Sequence, residues 1–82
     1  MSTAREQARI ATMAEIRRLA WAHLETEGAA ALSLRAIARD LGMVSSAIYR
    51  YVPSRDELLT MLITEGYREL ADAVDAALEQ RA

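Results

Sequence analysis

Apolar residues recur at helical spacing along nearly the whole chain, and Gly28, Gly42 and Pro53 cut that pattern into four segments. From about Ala4 to Glu27, Ile10, Met13, Ile16, Ala20, Trp21 and Leu24 fall on one side, which predicts a first helix. Its opening residues, Met1 to Arg9, contain no strong apolar group and are expected to fray, with Arg5 and Arg9 as conditional contacts. Gly28 ends this helix, and Gly-Ala-Ala-Ala-Leu carries the chain to Ser33. No strand-like alternation competes, so the pattern predicts an all-α fold.

The stretch Leu34–Tyr51 organises the rest. Leu34, Ile37, Ala38 and Leu41 form an apolar face, with Arg35, Arg39 and Asp40 between them. Ser33 stands where its hydroxyl can accept from the unpaired amides of a helix start. Gly42 stands where a helix commonly ends in a left-handed residue. Ser45 is expected to cap a second short helix, with Ala47, Ile48 and Tyr51 inward and Ser46, Tyr49 and Arg50 outward. A small residue at Ala38, a turn at Gly42 and an aliphatic at Ile48 fit a helix-turn-helix, whose second helix can enter a major groove. The same residues also fit a plain αα-hairpin within a bundle. Pro53 then closes the segment, and Ser54 with Glu57 reads as a capping box. Leu58, Leu59, Leu62, Ile63, Tyr67, Leu70, Val74 and Leu78 sustain a long fourth helix. The first half of that stripe can close a core with helix one and the motif. The second half, Tyr67 to Leu78, outruns any partner the chain supplies, which marks an interface or a missing domain.

Charge and composition narrow the function. The net charge of −2 argues against a polyanionic partner until its distribution is considered. Eight arginines up to Arg55 face five acidic residues, whereas from Asp56 onward seven acidic residues face only Arg68 and Arg81. A basic front and an acidic rear orient a domain on a polyanion, because local field matters more than the total. The chain has no cysteine, which removes disulfides, thiolate zinc sites and a cysteine nucleophile together. His23, the one histidine, lacks a second metal-binding neighbour and reads as a packing or solvated residue, not a metal ligand. With no Gly-rich phosphate loop and no carboxylate pair in an acid–base context, neither an enzyme nor a cofactor is expected. No segment has the apolar length of a membrane helix, and the chain reads as soluble and cytoplasmic.

From about Ile16 to Leu59 the sequence resembles the N-terminal DNA-binding domain of the tetracycline-repressor (TetR) family of bacterial regulators. The resemblance rests on Gly28, on Ser33-Leu34-Arg35-Ala36-Ile37-Ala38, on Leu41-Gly42-Met43, and most specifically on the run from Ala47 to Leu59. Val52 stands where the family more often has Phe, and Arg55 where it has Lys; both keep the role. The resemblance implies a three-helix helix-turn-helix bundle, residues 1–55 with the motif at 34–51. A long fourth helix, 56–82, would lead towards a C-terminal domain absent from this chain. That domain would bind a small-molecule effector and form a homodimer, and the effector would release a repressor from a roughly palindromic double-stranded DNA operator.

Carried onto matching positions, the resemblance assigns Tyr49 and Arg55 to phosphates. It gives Ser33, Ser45 and Ser54 the role of caps that also offer groups to phosphates, and turns Arg35, Ser46, Ala47, Arg50 and Tyr51 towards the groove. Chemistry agrees, since an arginine can donate two parallel bonds to guanine and a tyrosine hydroxyl can donate to a phosphate oxygen. For Tyr49 the competing reading is a surface aromatic covering the hairpin, and for Tyr51 it is packing. Arg39 reads as solvated. The competing function is a helical protein-interaction module acting through the fourth-helix stripe.

Overall fold

The computed structural model describes residues 3–81, so the opening Met1-Ser2 and the end of the expected fourth segment, residue 82, lie outside it. Four α-helices follow one another: α1 (Ala4–Glu27), α2 (Leu34–Leu41), α3 (Ser45–Ile48) and α4 (Arg55–Arg81), with a 3-10 turn at Ala29–Ala31. The architecture is an all-α helix-turn-helix bundle with a long fourth helix, and no described residue is in a strand. None of these helices is long and apolar enough to cross a membrane.

The core lies where α1, α2, α3 and the first half of α4 meet. Ile16, Ala20, Leu32, Leu34, Ile37, Ala38, Ile48, Val52, Leu58 and Leu62 are buried, and Met13, Trp21, Leu24, Leu41, Tyr51 and Leu59 pack around them. Burying one Ile or Leu side chain contributes about 1.5–3 kcal/mol, so these few residues carry most of the cohesion of so small a body. A polar clasp joins the longest helices beside this core. One carboxylate oxygen of Glu65 accepts from Trp21 Nε1 at 3.1 Å, and the other pairs with Arg17 Nε at 2.8 Å.

Three expectations from the apolar pattern change here. Ile10 is 60% exposed, because α1 projects past the body before Ile16 reaches the core. Ile63 is 57% exposed on α4, one position beyond the buried Leu62. The start of α1 is helical from Ala4: Thr3 caps it by accepting from the Glu6 amide at 3.1 Å, a hydroxyl signal that apolar spacing does not register. The second half of the α4 stripe is bare, with Tyr67, Leu70, Val74 and Leu78 all largely exposed.

Candidate nucleic-acid interface

The motif is held by backbone chemistry at each end of α2. Ser33 has extended backbone and its Oγ accepts from the Ala36 amide at 3.3 Å, which starts the helix. Gly42 takes φ of 73°, and the chain folds back so that Met43 N donates to Ala38 O at 2.8 Å and Gly42 N to Arg39 O at 3.1 Å. That pair of bonds is the Schellman closure, and the left-handed residue at its centre is where glycine carries no Cβ penalty.

After two non-helical residues, the second of them extended, α3 begins, and its start differs from the expected one. Val44, not Ser45, is the residue that caps α3, and it supplies only its carbonyl, which accepts from Ala47 N at 3.0 Å. Ser45 is already the first helical residue, where its side chain is too far along the chain to serve the first amides. The expected second helix is also shorter. Regular α-helix stops at Ile48, and Tyr49–Tyr51 form a turn closed by Arg50 N to Ala47 O and Tyr51 N to Ile48 O. Pro53 keeps Val52, the residue before it, out of helical backbone, so the helix cannot resume beyond that turn.

Burial sorts the candidate residues. Ile48 and Val52 are completely enclosed and bracket the turn between them. Arg35, Ser46, Tyr49 and Arg50 are exposed, whereas Ser45, Ala47 and Tyr51 are half-buried. Among the described residues Arg35, Arg39 and Arg50 enter no ion pair, unlike Arg17, paired with Glu65, and Arg18, paired with Glu15. Unpaired guanidiniums on a motif whose inner face is wholly apolar are available to an external anion.

A second group gathers where α4 starts. Ser54 Oγ accepts from Glu57 N at 3.1 Å, which is the serine half of the expected capping box. Arg55 turns back to the connection between α1 and α2, donating from Nε to Leu32 O at 3.0 Å and from Nη2 to Ala29 O. Ser33, Ser54 and Arg55 therefore stand at one junction. Each serine oxygen accepts an amide through a lone pair and keeps its O–H free to donate.

Two features escaped the sequence reading. Val44 is 69% exposed at the mouth of the turn. Arg9, from α1, reaches the end of α3: its Nη2 donates to Arg50 O at 3.2 Å, and its guanidinium carbon lies 4.8 Å from the centre of the Tyr51 ring. His23 bridges helices too, with Nε2 2.8 Å from Asp40 Oδ2.

Residues 16–62 match the family described as bacterial regulatory proteins, tetR family. The chain belongs to the tetR family. Over 73 residues it is 60% identical to the HTH-type transcriptional regulator Rv1816 of Mycobacterium tuberculosis, and equally to the HTH-type transcriptional regulator Mb1846 of Mycobacterium bovis. Those alignments cover 89% of this chain and 31% of each relative, so this tetR-family chain spans under a third of their length. Its fold is similar to the crystal structure of the regulatory protein SCO4313, with a TM-score of 0.86 and 49% identity, covering 98% of this chain and 39% of that one. The family assignment and the fold similarity bear out the architecture expected from the resemblance.

Proposed function

We infer that the chain is the DNA-reading unit of a bacterial transcription regulator. One observation carries this reading: α2, Gly42 and α3 form a helix-turn-helix whose inner residue Ile48 is fully buried while Ser46, Tyr49 and Arg50 remain exposed on the short second helix and its closing turn. In this reading Arg35 and Arg50 donate to base edges, with Ser46, Ala47 and Tyr51 beside them, and Tyr49 donates to a phosphate. Ser33 and Ser54 bring their hydroxyl protons, Ser45 its helix-start amide, and Arg55 the guanidinium N–H groups its two carbonyl partners leave over.

The regulator would work in the cytoplasm as a repressor released by a small effector. Its homodimer would place two such motifs on a roughly palindromic operator. Effector binding and dimerisation would reside in the portion of the full-length relatives that this chain does not span. No catalytic role belongs to the reading. The alternative, a helical interaction module, is favoured by the bare stripe on α4, and it is compatible with DNA binding.

Salt separates the two. Fluorescence-anisotropy titration of a labelled duplex between 50 and 200 mM salt should show log affinity falling linearly with log salt, with a slope of about −0.9 for each phosphate neutralised. A complex insensitive to salt, or no complex, would count against the DNA reading and leave the α4 interface as the function.

A further inference from the structure

Ile48 and Val52 are both locked in the core, yet the three residues between them are outside regular helix. Those three, Tyr49, Arg50 and Tyr51, carry polar groups assigned to DNA in the turn that follows α3. A four-residue helix has no cooperativity of its own with which to hold them. The turn's own amides bond back to Ala47 O and Ile48 O, and among the described residues the Arg50 carbonyl accepts from no backbone amide, so the remaining support of the turn falls on that carbonyl and on the Tyr51 ring. Arg9 touches both, one by a hydrogen bond at 3.2 Å and the other by a cation held 4.8 Å above the ring centre.

Packing of α1 near Arg9 is slight: only Thr12 and Met13 are partly buried between it and Ile16. No residue of α1 before Ile16 is buried, and Ile10, next to Arg9, is 60% exposed. Among the described residues, the bond to Arg50 O is the one hydrogen bond that residues 4–12 make to another element. Planar guanidinium chemistry suits the task, since it can lie over an aromatic face while its edge donates to a carbonyl.

We propose that Arg9 is a positioning residue for the reading surface, fixing the Arg50 peptide and the Tyr51 ring from across the fold. The idea rests on the DNA-reading proposal above. Arg50 leaves the backbone at the peptide Arg9 holds, so a small rotation there moves its guanidinium against the base edges. Loss of Arg9 therefore costs sequence preference and spares general attraction to phosphate.

The test uses the full chain and four variants: Arg9→Gln, Arg9→Lys, Tyr51→Leu and the Arg9→Gln/Tyr51→Leu pair. One duplex is selected from a random library by the wild type, and another of equal length has random sequence. Amide hydrogen exchange at Tyr51 and Val52 is followed by NMR without DNA. We expect Arg9→Gln to speed exchange at both amides and to weaken the selected duplex about tenfold. Binding to the random duplex and its salt slope should stay as in wild type. Arg9→Lys should recover part of the protection, and the double variant should lose less than the product of the single losses. Unchanged exchange overturns the proposal. So does an equal loss on both duplexes, which with a salt slope reduced by about one would make Arg9 itself a phosphate contact. If the wild type binds neither duplex, the DNA reading fails, and exchange alone decides whether Arg9 holds the turn.

Discussion

Arg55 Nε donates to the carbonyl of Leu32 at 3.0 Å, so the first residue of α4 is fastened to the segment that delivers the chain into α2. A second bond, from the same guanidinium to Ala29 O, spans the 3-10 turn. Arg55→Ala strands both carbonyls. The side chain is exposed, so water can replace part of what is lost, and a cost of about 1–2 kcal/mol is expected in urea denaturation. Lysine keeps the charge and lacks the fork that serves two acceptors, so Arg55→Lys should restore little of that stability.

Two glycines should respond in opposite senses to the same substitution. A Cβ at Gly42 would touch nothing within 4 Å, so Gly42→Ala costs only its left-handed backbone, about 1–2 kcal/mol. Gly66 lies within α4, and a Cβ there would meet Trp21 at 3.8 Å, an ordinary contact. Gly66→Ala should therefore stabilise the chain by about 0.5–1 kcal/mol. Thermal melts of the two variants should bracket the wild type, and a destabilised Gly66→Ala would refute this account of that glycine.

Positioning and reading contacts should separate by mutation. Tyr49 is 45% exposed, and Tyr49→Phe removes only the hydroxyl, so binding to a selected and a random duplex should fall together. Arg35→Ala and Arg50→Ala should instead relax preference at particular base pairs, each worth about 1–3 kcal/mol of discrimination. Binding-site selection with each variant is the measurement, and a consensus identical to wild type would show that neither arginine reads bases.

The bare half of α4 sets an expectation for the chain in solution. Tyr67, Leu70, Val74 and Leu78 recur at spacings of three and four, so they form one stripe, each residue between 48% and 70% exposed. Sedimentation should show concentration-dependent self-association that Leu70→Glu suppresses. Linking two reading units raises affinity by about 10²–10⁴, and a lone unit lacks that gain. The monomer should accordingly bind DNA at about 10⁻⁴–10⁻⁶ M at physiological salt. A strictly monomeric chain with nanomolar affinity for one half-site would contradict both statements.

How far the sequence could be read followed the range of each interaction. Ser33, Gly42 and Ser54 announced themselves because a cap acts within four residues, and each is seen in its expected role. Ser45 misleads because Ser is the commoner cap, whereas the chain after Gly42 leaves the extended Val44 in that place. Apolar spacing found Ile37, Ala38, Ile48, Leu58 and Leu62, but it reports which face is apolar and not how far along a helix the body extends. Hence Ile10 lies on the apolar side of the first helix and is nonetheless exposed. Arg9 and Arg55 reach partners 41 and 23 residues away, and nothing local marks either pairing.

The division between Ile48, wholly enclosed, and its exposed neighbours Ser46, Tyr49 and Arg50 means that the side chains proposed to meet DNA and the glue that folds the motif are different ones. Cohesion comes from Ile37, Ala38, Ile48 and Val52, none of which an incoming duplex can touch. Substitutions at Ser46, Tyr49 and Arg50 should therefore leave the melting point near that of wild type, and if the DNA reading holds, the outer face is a socket whose specificity can change while the chassis beneath it stays the same.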